Sequence, residues 1–253
     1  MPAVKLSDVA GFLGEYLAVG DWPDYPHALN GLQVEGPETV SRFAVAVDAS
    51  EAVIADAGEW AELLIVHHGL FWGGLQPLTG PHFRRVRLLI ESGTALYSAH
   101  LPLDGHSEVG NSAVLARNLG IDALEPFGDY RGKPVGWRGS RAEIRLCDLQ
   151  ASLAALTGAG VRILPGGPDP VSSVGVVTGG GASTLGEAAA AGLDVLVTGE
   201  AQHHHAIEAA ELGITVLLGG HYATEIWGVQ ALAAILEDHF GIKGRFVDSP
   251  TGL

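Results

Sequence analysis

The sequence is short of cysteine, of positive charge and of charge altogether. Cys147 is the single cysteine. No disulfide can close within the chain and no zinc site built on several thiolates can form, so a reducing, cytoplasmic setting is expected. Lys and Arg number 14 against 29 Asp and Glu, for a net charge of −15. Binding nucleic acid rests on neutralising phosphates with cations, and an acidic chain is poorly made for that. It is equally ill suited to an anionic membrane surface. Only 17% of residues are charged while 47% are hydrophobic, which argues against intrinsic disorder. Long apolar runs are missing too. The longest stretch without Asp, Glu, Lys or Arg, Leu63 to Phe83, contains His67, His68, Pro77 and Pro81 and does not read as a membrane span. The opening Met-Pro-Ala-Val-Lys starts no apolar signal run.

Glycine and histidine are plentiful, at 36 and 11 in 253 residues. The length fits one large or two small domains. No collagen-like period accompanies the glycines, which places them in turns and close backbone approaches.

Apolar runs and turn residues alternate along the chain. Arg42 to Asp48, Leu63 to Val66 and Thr94 to Ser98 read as strands, ending at or just before His67-His68 and His100. Helices are expected from Ser50 to Glu59, from Pro81 to Glu91, and from Asn111, as cap, to Gly120. Asp148 to Thr157 reads as a further helix. The second half repeats the theme. Ser173 to Val177, Leu193 to Val197 and Ile214 to Leu218 are expected strands, with helices over Thr184–Gly192 (through a Thr184-x-x-Glu187 capping box), Ala201–Leu212 and Thr224–Phe240. Arg245 to Val247 adds a last strand.

The halves look like a degenerate internal repeat. One ends in His100-Leu-Pro-Leu-Asp104 and the other in His221-Tyr-Ala-Thr-Glu225, both His-x-x-x-carboxylate just past a third strand. Middle strands likewise end in polar residues, His67-His68 and Glu200. Alternating strands and helices imply α/β architecture with mostly parallel sheets flanked by helices. We expect two similar domains, 1–128 and 129–253, with the C-terminal helix reaching back to the first. Parallel sheets bind ligands beyond the carboxyl ends of their strands, so the polar tips should cluster if the halves face each other.

Each candidate has a plain structural alternative. Adjacent histidines on a continuing strand point to opposite faces, but at a strand end before Gly69 both can converge on ions. His221 and Glu225, one helical turn apart, share a face. Pro102 favours a loop between His100 and Asp104. Three such sets beyond strands of the same kind point together to a metal site, with Zn, Fe, Mn, Co or Ni all suited to imidazole and carboxylate. Bridging carboxylates such as Asp104 and Glu225 allow two ions about 3.5–4 Å apart. His203-His204-His205 fan over most of a helix circumference and cannot all hold one ion; either they form a solvated face or one of them reaches the cleft as an acid or base. Thr178-Gly179-Gly180-Gly181 is either a phosphate cradle or a tight turn. The arginines at 84, 85 and 87 and from Arg131 to Arg145 meet a phosphate or simply line an exposed helix and loop. Asn30-Gly31-Leu32-Gln33-Val34 reads either as a loop before the first strand with Gln33 facing the cleft or as a plain Asn-Gly turn.

These pieces resemble a known family, the dinuclear-metal-centre proteins also called NGG-interacting-factor-three-like, known in bacteria as GTP cyclohydrolase 1 type 2 homologues. The matching segments are Asn30 to Gly36, Val47-Asp48-Ala49-Ser50, Leu64 to Trp72, His100 to Asp104, Gly110-Asn111, Thr198-Gly199-Glu200 and Gly219 to Glu225. They stand in family order over nearly the whole chain. The resemblance implies metal ligands at His67, His68, Asp104, His221 and Glu225, with His100 as a cleft histidine. It implies two divalent ions per chain, two similar domains facing each other across them, and a ring-shaped homohexamer. The span from Phe127 to Val171 is too short for the third domain that some relatives carry. Gly69 stands where many relatives have proline. The function so implied is a hydrolase acting on a nucleotide or phosphorylated heterocycle, GTP cyclohydrolase-like. His100 and Glu200 are its candidate proton-handling residues, and Gln33 and Asn111 its candidate substrate contacts. The alternative is a non-enzymatic metal-binding or metal-delivering scaffold.

Overall fold

The computed structural model describes residues 2–158 and 160–253. In chain order the elements are β1 (Val4–Lys5), α1 (Leu6–Tyr16), β2 (Gly31–Val34), β3 (Thr39–Val40), β4 (Arg42–Asp48), α2 (Glu51–Gly58), β5 (Leu63–His68), α3 (Gly80–Ser92) and β6 (Ala95–Ser98). Then come α4 (Leu101–Asp104), α5 (Asn111–Asn118), β7 (Asp122–Tyr130), β8 (Lys133–Ile144), α6 (Leu146–Thr157), β9 (Arg162–Leu164), β10 (Val171–Val176) and α7 (Leu185–Ala190). The last are β11 (Val195–Thr198), α8 (His203–Leu212), β12 (Thr215–Leu218), α9 (His221–Phe240) and β13 (Lys243–Phe246). Among the described residues no helix is long and apolar enough to cross a membrane.

The chain divides into two compact units, Met1–Leu103 with Val229–Ser249, and Asp104–Gly228 with Pro250–Leu253. This differs from the expected boundary at 128/129, which falls inside β7. That strand pairs antiparallel with β8, Phe127 opposite Gly136, and the hairpin stays whole in the second unit. Residues 229–249, which include β13, belong to the first unit.

The first unit holds a five-stranded sheet in the order β13-β4-β5-β6-β2. Its four parallel strands run β13-β4-β5-β6, and β2 closes the edge antiparallel to β6. Phe43, Val45 and Val47 alternate along β4 with Ala44 and Ala46, and all are buried, so both faces of the sheet are covered. One face packs Ala44, Ala46, Leu64, Val66 and Leu96 against Val53, Ile54 and Ala57 of α2 and Leu89 of α3. Helix α2 starts where expected, the Ser50 hydroxyl accepting from the Val53 N–H.

The second unit holds a six-stranded sheet in the order β7-β8-β10-β11-β12-β9. Its centre, β10-β11-β12, is parallel, and β8 and β9 flank it antiparallel. Val174, Val176, Val195, Val197 and Leu217 form its core with Leu149 and Leu153 of α6 and Leu115 of α5. The repeat seen in the sequence extends one strand further. β2 precedes the first parallel trio and caps its third strand antiparallel, and β9 does the same for the second trio.

Several local expectations are corrected. Gly31–Val34 forms strand β2 rather than a loop or turn. The stretch containing Arg131 is the β7–β8 hairpin, turning through Arg131 and Gly132 with φ of 52° and 87°. Positive φ at both central residues suits the twist of a tight hairpin. Prolines and glycines within it obscure the two-residue alternation. Helix α5 is capped by the Gly110 backbone, and Asn111 is its first residue, so its amide is available for other partners. Thr184 gives no capping bond; its hydroxyl donates to the Gly181 carbonyl, while Glu187 accepts from the Gly128 and Asp129 N–H groups. Residues 101–104 form a helical turn despite Pro102, because a proline in the first turn removes an N–H that has no helical acceptor. Helix α9 begins at His221, three residues earlier than expected.

Candidate metal centre

In the first unit the parallel register brings polar strand ends together. Asp48 and His68, the last residues of β4 and β5, are direct cross-strand partners. The His68 Nδ1 lies 2.9 Å from the Asp48 Oδ1. His67 is fully buried, and its Nδ1 donates to the Ala99 carbonyl at 3.0 Å. His100 follows β6, and its Nδ1 lies 2.8 Å from the Asp24 Oδ1. One donor atom from each of His67, His68 and His100 lies within 4.8 Å of the others. The strand end thus lets both members of the pair converge.

All three imidazoles share one arrangement. A carbonyl or carboxylate oxygen faces Nδ1, which fixes the proton there and leaves Nε2 as the lone-pair nitrogen of the neutral ring. This is how a histidine is oriented and made more basic for an ion. The donor chemistry therefore fits a divalent transition metal. Trp72 stands perpendicular to His100 with centroids 4.7 Å apart, and Tyr25 lies 5.8 Å from the same ring.

Asp24 is the residue that sequence reading missed. It also accepts from the Asn30 amide at 2.8 Å and from the Leu101 N–H at 3.0 Å. Burial pushes its carboxyl pKa up, but the bond to His100 and the further donors outweigh that and hold it below the ordinary value. It lies in the proline-flanked Pro23-Asp24-Tyr25-Pro26 segment, where nothing in the pattern marks a site. Asp48 does carry a signal, since it ends its strand as the histidine pair ends the next.

In the second unit His221 and Glu225 occupy the first turns of α9, with His221 Nε2 3.3 Å from Glu225 Oε2. Glu225 is buried. The exposed Glu200 holds the other side of the ring, 3.0 Å from Nδ1. The bond to Glu225 raises the His221 pKa to about 9 against the opposing effect of burial, with Glu200 adding to the rise. A positive charge is thus favoured between His221 and Glu225, and a metal ion can supply it in place of a proton. Gly179, at φ +61°, gives them room: a Cβ there would lie 2.0 Å from Glu225 Oε1 and 3.2 Å from His221 Nε2.

Asp104 is buried in the same unit. Its Oδ1 accepts from the Asn111 amide at 2.9 Å and from the Thr178 hydroxyl at 3.5 Å. Asn111, with no exposed surface, also accepts from the Gly228 N–H of α9 at 2.6 Å. It is an internal brace between two segments that carry candidate ligands.

The remaining candidates make contacts within the protein. The Gln33 amide donates to the Ala28 and Leu29 carbonyls and accepts from the Leu70 N–H, fastening the loop after the histidine pair. A Cβ at Gly69 would lie 2.3 Å from the Gln33 Nε2. The N–H of Thr178 donates to the Ser112 hydroxyl and that of Gly179 to the Thr224 hydroxyl, as befits a tight turn. Arg84, Arg87, Arg138 and Arg145 pair with Glu51, Glu91, Glu125 and Asp148.

A family model described as Duf34/NIF3 (NGG1p interacting factor 3) matches residues 4–251. The chain belongs to the NIF3 family. This NIF3-family chain is 46% identical over 248 residues to a "GTP cyclohydrolase 1 type 2 homolog" of Deinococcus radiodurans, covering 97% of this chain and 94% of the relative. It is 47% identical to the Halobacterium salinarum protein of the same name, covering 99% and 100%. Its fold is similar to the crystal structure of TTHA1606 from Thermus thermophilus, at TM-score 0.92 and 43% identity, covering 99% and 100% of the two chains.

Proposed function

We propose that this NIF3-family chain is a metal-dependent hydrolase of a nucleotide or similar phosphorylated heterocycle. It uses two divalent ions, with candidate ligands His67 and His68 in the first unit and Asp104, His221 and Glu225 in the second. The observation that carries the reading is the set of three imidazoles in the first unit, each with an oxygen at Nδ1 that leaves the Nε2 lone pair for an ion. Divalent ions supply Lewis acidity and an acidified water. The chain's own residues bind, orient and move protons. Asp24 fixes the His100 ring through Nδ1 and leaves its Nε2 to exchange a proton with substrate. Glu200 orients His221. Tyr25, about half exposed at 48%, and Trp72 offer aromatic surface to a planar base.

The printed names of the relatives make GTP the first substrate to try. Attack of one water at the guanine carbon between the imidazole nitrogens would open the ring to a formamide, and a second water would hydrolyse that formamide to formate and an amine. Phosphoester hydrolysis at the same donors is the competing reaction. Asn111 and Gln33 then act as positioning residues. We carry the hexameric ring and a cytoplasmic setting, which suits the exposed free thiol of Cys147, as part of the same reading. Light scattering should give six times the 26.2 kDa chain mass.

The test is metal content of untagged protein by plasma mass spectrometry, followed by a nucleotide panel assayed for formate and phosphate. About two ions per chain, with turnover abolished in folded Glu225→Gln, is the expected result. No metal after incubation with excess Mn, Fe or Zn would overturn the site. Two ions with no turnover would leave the metal-binding scaffold instead.

A further inference from the structure

We propose a second transition-metal site on helix α8, formed by the exposed His204 and the half-buried His205 and Glu208. It is independent of the hydrolase reading. Three consecutive histidines cannot share an ion, but two of them with a carboxylate one turn on can. At 3.6 residues per turn, His204 and His205 stand about 100° apart and Glu208 falls between them, about 40° from His204. Glu208 is therefore the i+4 neighbour of one histidine and the i+3 neighbour of the other. His203 lies on the far side of His204 and is left out. One donor atom from each of the three lies within 4.8 Å of the others, and the two imidazole centroids are 4.0 Å apart.

Two imidazoles and one carboxylate, with solvent on the remaining side, suit Zn, Ni, Co or Cu(II). Two features make the site weak. The His205 Nδ1 accepts from the Gln202 N–H at 3.0 Å, capping the helix. Coordination through Nδ1 replaces that bond directly. Coordination through Nε2 breaks it as well, because the ring proton must then move to Nδ1. The amino end of a helix also carries partial positive charge, which opposes a cation. An ion here is thus the first to leave under mild chelation. Metal bound per chain then counts one more equivalent than the buried donors hold.

The test is zinc titration of the untagged full chain against a chromophoric competitor, on the wild type, on His204→Ala/Glu208→Gln, and on His67→Ala. The expected result is a weak equivalent in the wild type. In His204→Ala/Glu208→Gln it binds at least tenfold more weakly while all tighter binding is kept. His67→Ala should retain the weak equivalent, whatever happens to the tighter ions. Nickel should broaden the ring-proton NMR signals of His204 and His205 at the same concentration. An unchanged weak equivalent in the double variant, or its loss in His67→Ala, overturns the proposal. Thermal melting of the double variant should match the wild type without metal, since His204 is exposed and Glu208 is half-buried.

Discussion

At the scale of single residues, the candidate centre depends on groups that touch no ion in the proposed reading. Asn111 is the clearest. It donates to Asp104 and accepts from Gly228, so Asn111→Ala removes a partner from a buried carboxylate and from a buried N–H. A loss of about 1–3 kcal/mol is expected from that alone, read as a shift in urea midpoint. Metal affinity should fall as well, and Asn111→Asp should not restore it, because a second carboxylate beside Asp104 cannot donate at neutral pH. Gly179→Ala is a sharper probe. The added Cβ would overlap the Glu225 carboxylate, and alanine is strained at φ +61°. Zinc affinity should drop at least tenfold in a competition titration. An unchanged affinity would remove Glu225 from the ligand set.

At the scale of elements, the parallel ladders decide where side chains meet. Asp194, just before β11, holds that strand to β10 by accepting from the Ser172 and Ser173 N–H groups. Burial raises its carboxyl pKa, but these donors outweigh that and hold it below its ordinary 3.8. A depressed folded pKa contributes stability that is complete above the unfolded value and is lost as pH falls through the folded one. Asp194→Asn should therefore cost about 1–2 kcal/mol at pH 7. The gap to wild type should shrink as pH falls below about 4. Urea midpoints at pH 7 and pH 3 measure both; an equal gap at the two would show that the charge is not what stabilises the contact.

At the scale of the whole molecule, metal binding and folding are linked. An ion that binds only the folded chain at a hundred times its dissociation constant adds about 2.7 kcal/mol. Stripping metal should lower the melting temperature, and returning a divalent ion should restore it. Calorimetry with and without chelator checks this, and identical curves would argue against metal bound to the folded state. The −15 charge predicts poor nucleic-acid binding. Filter binding to duplex DNA at low salt should detect no specific retention.

The sequence by itself determined the alternation of strands and helices, the two His-x-x-x-carboxylate tips and the family. Apolar runs, turn glycines and strand-end histidines are local patterns that need no neighbour to be read. Antiparallel edge strands were harder. β2, β9 and the β7–β8 hairpin are short or broken by Pro and Gly, and their partners lie far along the chain or across an irregular register. Tertiary structure alone decided what stands behind each imidazole. Asp24 is 76 residues from His100, and Asp48 is 20 from His68. The parallel ladder sets Asp48 beside His68, and the folded Pro23-Asp24-Tyr25-Pro26 segment brings Asp24 to His100 from outside the sheet. It also decided that Asn111 and Gln33 brace backbone and carboxylate, because an amide's partners depend on which buried groups the fold leaves within its reach.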